Sequence, residues 1–208
     1  MPESTPASLF NSVVVPPRVA VGGAGASKQY LRDTLYHRRR VIPADLSNTT
    51  AWKAANHLRT LLGQLGPSAV ALYVPRGSEV NIMPLVEDLW QWQQTVCLPR
   101  VISRGYPLAF NVWAQGEKLG HDALGIPAAD GPEIIPAVIV MPMLGYSRRG
   151  YRLGSGGGYY DLTLSHLKQP VITVGVCHTE LEVSDFPAEP HDHRLNHIVT
   201  GREIIHCL

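Results

Sequence analysis

Residues 137–164 read AVIVMPMLGYSRRGYRLGSGGGYYDLTL, and the predicted fold is organised around this stretch. It begins with a run of apolar and β-branched residues, which is typical of a buried strand, and Pro142 ends that run. Four glycines follow within residues 154–158, and leucines further along indicate a helix that starts at Tyr159. The order of strand, glycine loop and helix N-terminus predicts an anion-binding site, because exposed N–H groups and the helix dipole both favour negative charge.

Three arginines, Arg148, Arg149 and Arg152, precede the glycines and supply the fixed cations that a polyphosphate needs. The loop matches neither common nucleotide fingerprint, because it has no Gly-Lys-Ser/Thr and the third glycine of the dinucleotide motif falls on Tyr159. A glycine cluster can also be a simple turn. That alternative does not explain the three arginines or the carboxylate of Asp161, so we interpret the loop as a phosphate site.

The composition is that of an ordinary globular protein. The chain has 208 residues, of which 45% are hydrophobic and 17% charged, and its formal net charge is +1. We therefore expect no nucleic-acid partner and no membrane partner, since the charge creates no field that would recruit either. Three widely spaced cysteines, with no C-x-x-C, suggest neither a disulfide framework nor a cysteine zinc site.

The length favours one domain, which we predict over residues 27–208. Residues 1–26 are rich in Pro, Gly, Ser and Ala, and we expect them to form a mostly disordered leader. Because the leader lacks a signal-peptide layout, the expected location is cytoplasmic. We expect a monomer or a weak homo-oligomer.

Helical and strand patterns alternate along the chain. Ser27 is a predicted N-cap for a helix from Lys28 to about Arg40, and Ser47 for a second helix that ends at Gly66. A third helix is predicted with Pro84 in its first turn. Predicted strands cover residues 69–74, 95–98, 107–113, 137–141 and 171–176. This alternation predicts an α/β protein, a three-layer α/β/α fold with a mostly parallel central sheet, as in sugar-phosphate isomerases and CoA-transferases.

The run GYSRRGYRLGSGGGYYD, residues 145–161, resembles the signature of the 5-formyltetrahydrofolate cyclo-ligase family, also called 5,10-methenyltetrahydrofolate synthetases. Other family landmarks occur in order over residues 28–200. They are Lys-x-x-Leu-Arg at residues 28–32, Gly-x-Glu-Val at 77–80, Gly-Ile-Pro at 125–127, Pro-His-Asp at 190–192 and Leu-Asn-x-Ile-Val-Thr at 195–200.

The resemblance implies an enzyme that uses ATP and Mg²⁺ to convert a small-molecule substrate, 5-formyltetrahydrofolate, to 5,10-methenyltetrahydrofolate, ADP and phosphate. It also implies residue roles. The nucleotide would contact Lys28, Arg32, Arg149, Arg152, Gly154, Gly156, Gly157, Gly158 and Tyr159. The folate would contact Glu79, Tyr159 and Tyr160. Catalytic roles would fall to Arg152 and Tyr160, and magnesium would bind Asp161 and Asn196.

Four positions depart from the family pattern, and each removes a charge: Ser147, Leu162, Asn196 and Gly201. They motivate an alternative, a catalytically impaired paralogue that binds nucleotide or folate on the same scaffold. An active enzyme is favoured because five charged positions remain: Lys28, Arg32, Glu79, Arg152 and Asp161.

The segment His191-Asp192-His193 could supply two ligands to a zinc ion. Its spacing fits no established zinc motif, and the Pro-His-Asp landmark of the resemblance accounts for it better.

Overall fold

The computed structural model describes residues 27–66, 68–184, 188–189 and 192–207. The predicted leader and the first histidine of the candidate zinc segment, His191, lie outside these residues. The helices are α1 (Lys28–Arg40), α2 (Ala44–Leu65), α3 (Leu85–Gln91) and α4 (Tyr159–His166), with a 3-10 turn at Thr179–Leu181. The strands are β1 (Ala69–Ala71), β2 (Thr95–Val101), β3 (Leu108–Val112), β4 (Gly120–His121), β5 (Pro127–Ala128), β6 (Val138–Pro142), β7 (Gly145–Tyr146), β8 (Arg152–Leu153), β9 (Ile172–Val176), β10 (His197–Val199) and β11 (Ile204–His206).

Seven strands form one sheet in the order β11-β10-β9-β6-β1-β2-β3. The five inner strands run parallel, and the two edge strands, β3 and β11, pair antiparallel with their neighbours. Two short antiparallel pairs, β4-β5 and β7-β8, stand outside this sheet. The mostly parallel sheet confirms the predicted fold class.

The central strand β6 shows why the fold has three layers. Its side chains are buried on both faces, as an apolar strand inside a parallel sheet requires. Val138 and Val140 belong to the core under α2 and α3, whereas Ile139 and Met141 belong to the core under α1. Helices therefore cover both faces of the sheet.

The first helix follows the prediction, because its start is encoded locally. Ser27 Oγ accepts a hydrogen bond from Tyr30 N at 3.2 Å, and Leu31 and Leu35 are buried against the sheet. A run of three arginines, residues 38–40, is typical of a solvated helix end, but Arg39 is not exposed to solvent. It is buried, and its Nε donates to Ser78 Oγ at 3.0 Å.

Two predicted helix starts were displaced. Helix α2 begins at Ala44 after Pro43, without a side-chain cap, so Ser47 lies in its first turn. The backbone N–H of Ser47 donates to Pro43 O at 2.9 Å. Helix α3 begins at Leu85 with Pro84 as its N-cap. Proline suits both places because its fixed φ and missing N–H cost nothing at the entrance to a helix.

The chain leaves the sheet at one edge to build the site. Strands β1 and β6 are parallel neighbours, so their carboxyl ends lie side by side. The loop after β1 carries Glu79, and the chain after β6 forms the β7-β8 pair, the glycine loop and α4. Ligands bind at this edge in open α/β sheets. None of the helices in the described part of the chain is long and apolar enough to cross a membrane.

Candidate active site

The glycine loop turns directly into α4. Gly158 is the N-cap of α4 with φ of 68°, and Gly156 has φ of 102°. Residues with a side chain rarely adopt such angles, so these two positions require glycine. A Cβ on Gly156 would lie 3.7 Å from Arg32 Nε. The loop therefore brings its backbone close to a cation on α1.

A cleft of about 380 Å³, here called the loop cleft, opens between α1, the glycine loop and α4. It contains three of the cations that the resemblance assigns to the nucleotide, together with three carboxylates. The lining residues include Lys28, Arg32, Arg152, Gly154, Gly156, Gly158, Asp161, Glu189 and Asp192. Cations and backbone N–H groups suit phosphates, and the carboxylates suit a metal ion carried with them.

Arg152 is fixed on two sides. Its Nη1 donates to His193 O at 3.0 Å, and its Nη2 donates to Asp161 Oδ1 at 2.6 Å. The same carboxylate oxygen accepts from His193 N at 3.3 Å. Because Arg152 is buried, these contacts hold its guanidinium in one orientation.

Lys28 lies opposite two carboxylates. Its Nζ is 2.5 Å from Glu189 Oε2 and 2.7 Å from Asp192 Oδ2. Burial disfavours the charged amine, but the two carboxylates outweigh that effect, so the pKa of Lys28 is raised. Lys28 is therefore charged at neutral pH. A second α1 cation, Arg32, donates from Nε to Gly154 O at 3.2 Å.

A second cavity of about 440 Å³, here called the aromatic pocket, lies on the other side of the glycine loop. Its walls are mostly apolar and aromatic, as a flat heterocycle requires. They include Tyr36, Tyr73, Glu79, Leu108, Ile126, Tyr159 and Tyr160. Four residues line both cavities: Arg152, Gly154, Gly158 and Asp161. A ligand in one cavity can therefore meet a ligand in the other beside Arg152 and Asp161.

Glu79 supplies a carboxylate to the aromatic pocket. Its Oε2 accepts from Arg76 N at 2.9 Å, and burial raises the pKa of Glu79 above its ordinary value. Burial, with a smaller contribution from the charge of Glu79, also raises the pKa of Tyr160. The phenol of Tyr160 is therefore protonated at neutral pH and can donate a hydrogen bond.

Two predicted site residues point elsewhere. The guanidinium of Arg149 lies over the ring of Tyr151 at 5.6 Å, and neither cavity includes Arg149. Asn196 Oδ1 accepts from Thr173 N at 2.8 Å and from Thr173 Oγ1 at 2.9 Å. Asn196 lines a separate cleft that does not include Asp161. The structure therefore places Asn196 apart from Asp161 and Arg149 outside both cavities, so the site proposed below includes neither.

The sequence interpretation missed several lining residues. Tyr36 follows Lys28 and Arg32 at intervals of four residues, so a common helix face was a usable signal for it. Tyr73 follows directly on the apolar run of β1, at the carboxyl end where ligands bind. No local signal identified Glu189, because its partner Lys28 is 161 residues away in the chain.

The positions that depart from the family pattern have different surroundings. Ser147 is completely buried, and no described residue forms a hydrogen bond with its hydroxyl. Leu162 lines the loop cleft as an uncharged side chain. Gly201 is packed so closely that a Cβ there would lie 3.0 Å from Thr50 Cα. Of these three, only Leu162 removes a charge from the loop cleft itself.

A magnesium ion, which the resemblance implies, would need oxygen ligands in the loop cleft. Across residues 27–66, 68–184, 188–189 and 192–207, no group of three or more His, Cys, Asp or Glu side chains could hold a metal ion. Magnesium bound with a nucleotide needs only one or two carboxylates besides phosphates and water. Asp161 and Asp192 both line the loop cleft, and no described residue donates to Asp161 Oδ2. Both carboxylate oxygens of Asp192 accept from Lys28 Nζ, at 2.9 and 2.7 Å, so Asp192 could bind an ion only if Lys28 turned away from it. Asp161 fits such an ion directly.

Comparison with known proteins gives one consistent family. The family model described as the 5-formyltetrahydrofolate cyclo-ligase family matches residues 24–201. A 5-formyltetrahydrofolate cyclo-ligase of Mycolicibacterium smegmatis is 31% identical over 193 residues, which cover 88% of this chain and 97% of the relative. The Escherichia coli K12 protein of the same name is 31% identical over 179 residues, covering 80% and 96%.

Two solved structures share the fold. The 5,10-methenyltetrahydrofolate synthetase of Mycoplasma pneumoniae superimposes with a TM-score of 0.71 at 23% identity, covering 85% of this chain and all of the other. The synthetase of Aquifex aeolicus gives a TM-score of 0.72 at 24% identity, covering 86% and 92%. At these identities, the likeness supports the fold.

Proposed function

This chain belongs to the 5-formyltetrahydrofolate cyclo-ligase family, and on that premise we propose that it catalyses the ATP-dependent cyclisation of 5-formyltetrahydrofolate to 5,10-methenyltetrahydrofolate, with release of ADP and phosphate. One observation carries the proposal. The loop cleft and the aromatic pocket share Arg152 and Asp161, so two substrates can meet at one point.

The reaction needs this meeting point because a formamide is a poor electrophile and cannot expel its oxygen as oxide. The formyl oxygen attacks the γ-phosphorus of ATP, forming an O–P bond while the bond to the ADP oxygen breaks. N10 of the folate then attacks the activated carbon and loses its proton, and the C–O bond breaks to release phosphate. The protein contributes mainly positioning and charge neutralisation to such chemistry.

The ATP phosphates occupy the loop cleft in this proposal. Backbone N–H groups of Gly154, Gly156 and Gly158, which line this cleft, would bind them, and Lys28 and Arg32 would neutralise their charge, whereas Gly157 borders the aromatic pocket. Arg152 acts at the shared border, on the phosphoryl group in transfer. Support comes from its fixed orientation, because a preorganised cation stabilises developing charge without reorganising during the reaction.

The folate occupies the aromatic pocket. Glu79 accepts hydrogen bonds from the heterocycle, and Tyr159, which lines the aromatic pocket, contacts the folate. Tyr160 donates from its protonated phenol toward the formyl group. The raised pKa of Tyr160, caused mainly by burial, keeps this phenol protonated, as a donor must be, to higher pH than an ordinary tyrosine.

Magnesium enters the proposal with ATP. When bound, it neutralises phosphate charge and holds the phosphate oxygens in a fixed arrangement. Asp161 would hold the ion through Oδ2, and Asp192 would join it once Lys28 turns from that carboxylate to the phosphates. Asn196 has no part in this set, because it lies outside the loop cleft, where its amide oxygen accepts from Thr173.

The direct experiment is an activity assay on the full chain. Purified protein is mixed with 5-formyltetrahydrofolate, ATP and magnesium, and the near-ultraviolet absorbance of methenyltetrahydrofolate is followed. Product is expected only when all three components are present. Nucleotide binding without product would instead favour the impaired paralogue, for which the uncharged Leu162 in the loop cleft is the structural motive.

A further inference from the structure

A pair of histidines faces each other where the sheet ends. Strands β10 and β11 pair antiparallel, and the register sets His197 directly opposite His206. Their Nδ1 atoms are 3.1 Å apart, and the ring centroids are 5.0 Å apart with planes at 89°. His206 is exposed and His197 half-buried, so solvent reaches the pair. The proposed cyclisation uses neither residue.

The distance between the two nitrogens suits a shared metal ion. Nitrogens bound to one zinc ion at about 2.0–2.1 Å lie roughly 2.8–3.4 Å apart for bond angles between octahedral and tetrahedral values. The observed separation of 3.1 Å falls within that interval. Imidazole nitrogen is a preferred ligand of copper, nickel and zinc. The strand pairing holds the two rings side by side, and both must turn off the line between their Nδ1 atoms to converge on an ion.

The hydrogen bond between the two rings identifies the atoms that a metal ion would use. Imidazole binds metal ions as the neutral ring. Without a metal, one ring donates its Nδ1–H to the other, and a bound ion would replace that shared proton.

We propose that His197 and His206 form a two-histidine site for a divalent transition-metal ion, with water completing its coordination. Among the described residues no third His, Cys, Asp or Glu joins the pair, so the site is open. A bound ion would tie the edge strand β11 to β10. Copper should bind most tightly, because affinities of nitrogen sites peak at Cu²⁺ among these ions.

The test is calorimetric titration of the metal-stripped full chain with CuCl₂, NiCl₂ and ZnCl₂ at neutral pH. We expect His197→Asn and His206→Asn each to weaken copper binding at least tenfold. His121→Asn is the matched control, since His121 is an exposed histidine on a separate two-stranded sheet, and it should change the affinity less than twofold. Equal copper affinity in the wild type and in both site variants would overturn the proposal.

A second measurement on the unaltered protein covers the case in which a variant does not fold. Imidazole nitrogen NMR signals of His197 and His206 should shift together on addition of Zn²⁺. Signals of both residues that stay unchanged while zinc is in excess would contradict the site.

Discussion

Arg152 donates a hydrogen bond of 2.6 Å from Nη2 to Oδ1 of Asp161, and both residues border the two cavities of the site. The pair joins strand β8 to the first turn of α4 across the glycine loop. A cation held in this way is ready to meet a phosphoryl group before any substrate binds. The metal-binding carboxylate of the proposal is positioned by the same contact.

Arg152→Ala should weaken MgATP binding. A charge-assisted contact to phosphate contributes about 1.5–3 kcal/mol, which corresponds to a loss of roughly 10- to 150-fold in affinity. Arg149→Ala is the matched control, because Arg149 belongs to the same loop but lies over Tyr151. Calorimetry should find its affinity within twofold of wild type. An equal loss of MgATP affinity in Arg152→Ala and Arg149→Ala would contradict the assignment of Arg152 to the nucleotide.

The magnesium dependence should follow Asp161 and Asp192. Replacing either with Asn removes a charged ligand, and the magnesium concentration for half-maximal rate should rise about tenfold or more, given 1.5–3 kcal/mol for a charged contact. Asn196→Asp preserves the acceptor for Thr173, so its curve of rate against free magnesium should superimpose on that of the wild type. Rate measured against free magnesium distinguishes the variants. A lower magnesium requirement in Asn196→Asp would return that residue to the metal site.

Glu79 should make stability depend on pH. Burial raises its pKa in the folded protein above the ordinary 4.5, so the folded state binds the Glu79 proton more tightly than the unfolded state. The resulting stability is present below the unfolded pKa and is lost as pH rises through the folded pKa. The free energy of unfolding of wild type minus that of Glu79→Gln should therefore fall as pH rises from 4.5. Urea unfolding at several pH values measures it, and a difference that rises with pH would refute the assignment.

Thr163 should position α4 over the folate. Its hydroxyl donates to Tyr159 O at 2.6 Å and accepts from Leu108 N at 2.9 Å, linking α4 to β3. Thr163→Val leaves the Leu108 N–H unpaired, which costs about 1–3 kcal/mol of stability. Because Leu108 and Tyr159 line the aromatic pocket, the KM for folate should rise more than the KM for ATP.

Two companions control the Thr163 result. Thr163→Ser keeps the hydroxyl and should restore the folate KM. Thr60→Val removes an exposed hydroxyl that bonds only within α2, so it should leave both constants unchanged. Loss of stability in Thr163→Val with an unaltered ratio of the two KM values would make Thr163 purely structural.

Local sequence was sufficient for much of the fold. The Ser27 cap, the apolar run of β6 and the start of α4 at Tyr159 depend on neighbouring residues, and the structure has all three. The places of the glycine loop and of Asp161 at the start of α4 could be predicted for the same reason. The predicted starts of the helices that follow prolines were less accurate. Helix α2 begins after Pro43 without a side-chain cap, whereas the sequence suggested a cap at Ser47.

The remaining site residues depend on contacts distant in sequence. Asn196 turns toward Thr173 because of how β9 and β10 pair, and a motif alone does not contain that register. The direction of Arg149 depends on the turn that stacks it on Tyr151. Lys28 and Asp192 are 164 residues apart in the chain, so only the folded structure shows that they meet. Such residues could be named as candidates, but their orientation required the folded chain.

The most direct test of the proposed reaction follows the formyl oxygen. 5-Formyltetrahydrofolate labelled with ¹⁸O in the formyl group is converted by the enzyme with MgATP in unlabelled water, and the phosphate is analysed by mass spectrometry. Phosphoryl transfer to the formyl oxygen predicts one ¹⁸O atom in each phosphate released, in step with methenyltetrahydrofolate formation. Unlabelled phosphate, with the ¹⁸O recovered in water, would contradict the account.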